Sequence, residues 1–200
     1  MYIFVSDVGS MALYKRNGFT LIELVVVIVI LAILAMVALP RFINLGQDAH
    51  DSVAKSAFGS FSTAASLYHS CWLTAGAVGA VTDLACFGEG DIDSTVTGFP
   101  LGRDTQGSGS NGQQLQGDFC RQLWQGLLDN DDFKLARHED ASFGGDTDII
   151  YWYSGGLVSD PGTRCYFNYI ADDRTKGAKN WQLSYYPYTG KTIISRVTLG

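Results

Sequence analysis

The chain has 200 residues, room for one membrane helix and one compact domain of ordinary size. Its 14 Lys and Arg face 20 Asp and Glu, a net charge of −6. Phosphate binding needs clustered basic side chains, so this acidic balance weighs against a nucleic-acid partner. In chain order, residues 1–18 come first, and they are short for a fold and mixed in character. Met11 offers a second start that leaves an eight-residue leader, Met11–Gly18, and we expect it to be the true one.

Next comes Lys15-Arg16-Asn17-Gly18-Phe19-Thr20-Leu21-Ile22-Glu23, then an apolar run to Leu39, then Pro40. Of the 21 residues from Phe19 to Leu39, only Thr20 and Glu23 are not apolar. As a helix this run is roughly 32 Å long, about the hydrocarbon thickness of a bilayer. Lys15 and Arg16 just ahead of it place the N-terminus on the cytoplasmic side. A secretory signal has an apolar region of only 7–15 residues and a small-residue cleavage site after it, and this run fits neither. Glu23 is the anomaly, because an unpaired carboxylate at such a depth costs on the order of 2.5–3.5 kcal/mol or more. It therefore calls for a partner.

These residues carry a family resemblance. Lys15-Arg16-Asn17-Gly18-Phe19-Thr20-Leu21-Ile22-Glu23-Leu24 resembles the signal of type IV prepilins and type II secretion pseudopilins. The resemblance implies that a prepilin peptidase cuts after Gly18 and that Phe19 becomes the N-methylated first residue. It also implies an assembly role for Glu23 and for Pro40. The stretches 19–31, 38–45 and 64–73 narrow it to pilins of the mannose-sensitive haemagglutinin (MSHA) class, and within them to minor, biogenesis-type subunits. Four cysteines depart from the single pair commoner in major pilins.

After Pro40 the pattern turns amphipathic. Phe42, Leu45, Ala49, Val53, Ala57, Phe61, Ala64, Leu67 and Cys71 recur at three- and four-residue steps, which predicts a helix with one buried face. Together the two halves predict a spine from about Phe19 to Leu73, roughly 80 Å if continuous, with Pro40 as a kink or loosened turn. Residues 74–118 are glycine-rich: Gly76 is a candidate helix cap, and 88–93 and 107–112 read as exposed loops. A short helix is predicted over 119–128 with Asp118 as N-cap. The last quarter predicts four strands, at 149–153, 165–170, 181–185 and 191–197, with a hairpin before the last. Their apolar face needs cover, and the amphipathic half of the spine supplies it. The expected fold class is therefore α+β, a long N-terminal helix on a C-terminal antiparallel sheet, as in the type IV pilin fold.

Several constellations were weighed for chemistry. Gly107-Ser108-Gly109-Ser110-Asn111-Gly112 fits a dinucleotide-loop pattern, but no strand precedes it, so a flexible loop is the better reading. His50, His69 and His138 lack metal-ligand spacing and read as surface or interfacial residues. Cys71, Cys86, Cys120 and Cys165 form no Cys-x-x-Cys and lie on the oxidising side of the membrane span, which predicts two disulfides. Three connectivities are open; we favour Cys71–Cys86 as a local clip and Cys120–Cys165 as a long-range staple. No cofactor is expected, although Glu89, Asp91 and Asp93, or Asp129, Asp131 and Asp132 with Asn130, are weak calcium candidates. The aromatic residues of the strands read mostly as core, with Tyr186 and Tyr188 the candidates for exposure.

The whole reads as a structural subunit rather than an enzyme. Residues 1–18 form a cleaved leader, 19–40 a membrane and filament-core half-helix, and 41–200 a periplasmic or extracellular domain. The expected role is a minor pilin of an MSHA-type pilus, acting in pilus assembly and hence adhesion. Expected partners are the prepilin peptidase, other pilin subunits, the inner-membrane assembly platform and the membrane itself, with no nucleic acid. The expected location is the inner membrane, then a filament. A type II secretion pseudopilin and a glycan-binding tip adhesin are the alternatives.

Overall fold

A computed structural model describes residues 18–103, 114–128 and 132–199, leaving aside the side chains of residues 39–44. The chain divides into two units, Met1–Leu45 and Gly46–Gly200. The first helix, α1 (Leu21–Thr74), contributes its early turns to the first unit and its later turns to the second.

In the first unit, every Val, Ile, Leu, Met and Phe from Phe19 to Val37 is exposed. Leu21–Ala38 has a mean hydropathy of 3.2 and is long and apolar enough to cross a membrane.

In the second unit, α1 buries Ala54, Ala57, Phe58, Phe61, Ala65 and Tyr68. This seam corrects the sequence reading. Ala57 and Phe61 belong to it, but Leu45, Val53 and Leu67 remain 60%, 43% and 58% exposed. The physical reason is size: the alanines let the helix approach closely, and Phe58, Phe61 and Tyr68 fill what remains. Phe58 and Phe61 meet Trp124 on α2 (Gly117–Leu128), whose ring lies 5.7 Å from Phe61, 6.1 Å from Phe58 and 5.1 Å from Phe167, while the Tyr68 ring lies 5.4 Å from that of Phe87. Such aromatic packing contributes about 0.5–1.5 kcal/mol per pair beyond area burial.

The helix ends in a Schellman turn. Gly76 takes a φ of 65°, its N–H donates to the Leu73 carbonyl, and the Ala77 N–H donates to that of Trp72. The glycine-rich stretch beyond it holds structure that the sequence did not reveal. Ile92–Ser94 (β1) and Pro100–Arg103 (β2) form a two-stranded antiparallel sheet with a bulge at Asp93/Ser94. Strands this short with Asp, Gly and Pro in them lack a period. They are held by tertiary bonds instead: Asp93 Oδ1 accepts the Asp83 N–H at 3.0 Å, and the buried Tyr68 hydroxyl donates to the Ile92 carbonyl at 2.8 Å. Burial, aided by the Asp93 charge, pushes the Tyr68 pKa well above its ordinary value.

A second correction concerns Asp118. It lies inside α2 rather than before it, and its two carboxylate oxygens accept from one nitrogen of Arg137, Nη2, at 2.8 and 3.1 Å. The ion pair engages the carboxylate that a cap would have used.

The main sheet runs β3 (Leu135–Arg137), β4 (Ile149–Ser154), β5 (Arg164–Tyr169), β6 (Lys179–Tyr186) and β7 (Lys191–Thr198), in that spatial order. β4 to β7 are antiparallel neighbours, as the sequence predicts, and the three-residue β3 joins parallel to β4. Register places Cys165 opposite Tyr185 and Phe167 opposite Leu183, all four buried. These alternate residues share one face of the pleat and meet the helices. The result is a long N-terminal helix packed on an antiparallel-rich sheet, an α+β arrangement consistent with the pilin fold.

Two disulfides lock this unit. Cys71–Cys86 ties the end of α1 to the segment before β1, with Cα atoms 6.0 Å apart. Cys120–Cys165 ties α2 to β5 at 5.5 Å, with both residues fully buried.

Candidate functional site

The residues singled out by the sequence gather at the start of α1. Gly18 precedes the helix, is exposed, and has nothing within 4 Å of where a side chain would project. A peptidase needs such an accessible backbone at a scissile bond. Phe19 follows, 82% exposed.

Thr20 and Glu23 then close on each other. The Thr20 N–H donates to Glu23 Oε2 at 2.9 Å and its hydroxyl donates to the same oxygen at 2.8 Å, while the Glu23 N–H donates back to Thr20 Oγ1 at 3.3 Å. This reciprocal pair is a capping box, which satisfies backbone donors that the first turn otherwise leaves open. The sequence reading missed Thr20, although Thr-x-x-Glu ahead of an apolar run is the signal for it. The carboxylate also sits where the partial positive charge of the helix N-terminus favours it.

The capping box bears on what Glu23 can do chemically. Both side-chain bonds fall on Oε2, so among the described residues Oε1 has no partner. Around it lie the apolar side chains of Phe19, Ile22, Val26 and Val27, which line a shallow groove beside the carboxylate. A cation delivered there meets a fixed oxygen in an apolar setting, where electrostatic attraction is strong.

The other predicted residues are placed elsewhere or lie outside the described part. Lys15, Arg16 and Met11, the 107–112 loop and residues 129–131 lie outside it, as does the side chain of Pro40, which falls within α1. Glu89 is exposed, Asp91 pairs with Arg103 at 2.7 Å, and Asp93 is buried in its contact with Asp83. Among the described residues no three His, Cys, Asp or Glu side chains converge as metal ligands. Each histidine has a tertiary partner: His50 bonds the Tyr169 hydroxyl at 2.7 Å, His138 bonds that of Tyr166 at 2.8 Å, and His69 stacks on Phe99 at 4.0 Å. Tyr186 and Tyr188 are half-buried.

Residues 13–39 match the family of the prokaryotic N-terminal methylation motif, a type IV pilin-like prepilin signal. The match spans the basic flank, Gly18, Phe19, the capping box and the apolar run. No curated protein and no solved structure matches the chain. The motif implies processing by a prepilin peptidase and assembly with pilin subunits, and it supports a type IV pilin-like or pseudopilin subunit.

Proposed function

We propose that this chain is a structural subunit of a type IV pilus, delivered to the inner membrane and then drawn into a filament. The observation that carries the reading is Glu23, an ionisable side chain at a fixed offset from Gly18 in a run, Leu21–Val37, that is otherwise apolar and exposed. Cleavage after Gly18 frees the Phe19 amine, which is then methylated. Residues 19–40 hold the subunit in the bilayer while residues 41–200 stand on the periplasmic side. In the filament, Glu23 Oε1 takes the charged Phe19 amine of a neighbouring subunit, and the apolar helices bundle by close packing. An unmatched charge in that setting is costly, so the pair also fixes register.

Within this class we favour a minor subunit of the MSHA type, acting in assembly and through it in adhesion. Support comes from the resemblance over 15–45 and from the four cysteines. A type II secretion pseudopilin shares everything up to Pro40, and a secretion defect on deletion would single it out. Pilin-like subunits are structural, and no catalytic role is assigned.

Immunogold labelling of sheared filaments tests the reading. Labelling along or at the tip of filaments supports it, and unlabelled filaments from cells that make the processed chain overturn it.

A further inference from the structure

The five-stranded sheet ends on two unlike edges. β3 is an edge of 3 residues, whereas β7 runs 8, with β6 on one side and no strand on the other among the described residues. Folded proteins blunt an open edge with short strands, prolines or bulges, because it offers a row of unpaired backbone groups. β7 has none of these. It contains no proline and pairs residue for residue with β6, from Lys191 opposite Tyr186 to Thr198 opposite Lys179. From Thr192 to Thr198, no β7 backbone group bonds to an element other than β6 among the described residues.

This edge is also unfinished on both faces of the sheet. Ile194 lies opposite the buried Leu183 and shares the face that meets the helices, while Ile193 lies opposite Ser184 on the other face. The two isoleucines are 38% and 37% exposed. Single exposed apolar residues are ordinary. Two in succession on a bare edge differ, since one added strand covers both through cross-strand pairs.

Charge selects what such a strand carries. The chain is acidic, yet the stretch from Arg174 to Gly200 has five basic residues and no acidic one. Arg174 and Lys176 pair with Asp148 and Asp140, but Lys191 has no acidic partner among the described residues. Arg196 pairs with Asp51 and is held over the Trp181 ring at 5.0 Å, and its guanidinium has donors beyond the one that this bond uses. A second β7 is a poor partner. Antiparallel pairing with Ile193 opposite Ile194 sets Lys191 opposite Arg196, and like charges directly opposite destabilise. An acidic strand in the same register meets both cations instead.

We propose that β7 is a strand-addition site for an extended acidic segment of another protein. The segment lies antiparallel, with carboxylates opposite Arg196 and Lys191 and apolar side chains opposite Ile194 and Ile193. Main-chain bonds hold it, and the flanking charges choose it. This inference goes beyond the filament reading and stands without it.

The probe is the capped peptide Thr-Glu-Thr-Val-Val-Thr-Glu-Thr, titrated into the isotope-labelled full-length chain in detergent micelles. Amide exchange by NMR should slow at every second β7 position between Thr192 and Thr198, and should not slow with a peptide carrying Lys in place of both Glu. Equal protection by the two peptides, protection only outside β7, or none at millimolar peptide overturns the proposal. Lys191→Glu, at an exposed position, reads the register. It should weaken the acidic peptide by about twofold to thirtyfold, and changing the peptide's second Glu to Lys should restore binding. Unchanged affinity, or restoration by changing the first Glu instead, overturns the antiparallel pairing.

Discussion

Glu23 has two possible duties, and two substitutions separate them. Glu23→Gln keeps the capping box, since Gln serves at that position as Glu does, but removes the charge. Thr20→Ala keeps the charge and removes the cap, including the hydroxyl that bonds Glu23 Oε2 at 2.8 Å. Loss of a cap costs about 0.5–2 kcal/mol. Leaving the Phe19 amine of a neighbour buried without its carboxylate costs about 3–5 kcal/mol. At about 1.4 kcal/mol per tenfold, Thr20→Ala should lower filament incorporation by about twofold to thirtyfold, and Glu23→Gln by at least a hundredfold. The assay compares the chain in sheared filaments with that in the membrane fraction by immunoblot, after the mass of the N-terminal peptide confirms cleavage and methylation in both variants. Normal incorporation of Glu23→Gln together with failure of Thr20→Ala would refute the charge-pairing mechanism and leave Glu23 as a cap.

Other outcomes are expected of the second unit. Loss of Cys120–Cys165, which closes a 45-residue separation, should destabilise by about 4 kcal/mol, against about 3 kcal/mol for the 15-residue Cys71–Cys86 clip. Thermal melting of the paired Cys→Ala variants checks the order, and a reversed order counts against the loop-entropy argument. Limited dithiothreitol should open Cys71–Cys86 first, because Cys86 is exposed and the other bridge is wholly buried; peptide mapping of alkylated thiols reads this out. Burial pushes the Asp51 carboxyl up, but bonds from Trp181 and Gln47 and the nearby Arg196 outweigh it and hold its pKa below the usual carboxylate range. A depressed pKa stabilises above the unfolded value of about 3.9 and is lost as pH falls through the folded one. Asp51→Asn should therefore lower Tm at pH 7 and do so progressively less below about pH 4, and a gap that is constant with pH would contradict this. Millimolar calcium or EDTA should leave Tm unmoved, since Asp91 and Asp93 are committed to Arg103 and Asp83; a rise of several degrees with calcium would say otherwise.

How much of this was legible depends on what each residue's neighbours are. The membrane half of α1 needs no tertiary information, because an apolar run from Leu21 to Ala38 with one carboxylate identifies itself. β4 to β7 were legible for a similar reason: β-branched and aromatic residues crowd into stretches of six to eight positions between turn signals. The seam of α1 was not. Leu45, Val53 and Leu67 look like core by transfer energy, yet Ala54 and Ala65 are buried in their stead, because which face of the helix is covered is set by the elements that pack on it. β1, β2 and β3 have three or four residues each and are defined by partners far along the chain, such as Leu135 opposite Ile149. At the candidate site, the offset of Glu23 from Gly18 was readable. Its closure with Thr20 needed only the capping signature, which the apolar run obscured.

The two disulfides have a mechanical consequence. A filament under tension can lengthen by unravelling its subunits, and the gain is set by how much chain lies between the points that carry load. The bridges close separations of 15 and 45 residues, so on the order of 200 Å of extended chain at 3.3–3.6 Å per residue is unavailable to stretching. Under load such a unit reaches its taut length that much sooner, and only the chain outside the two bridged segments can unravel.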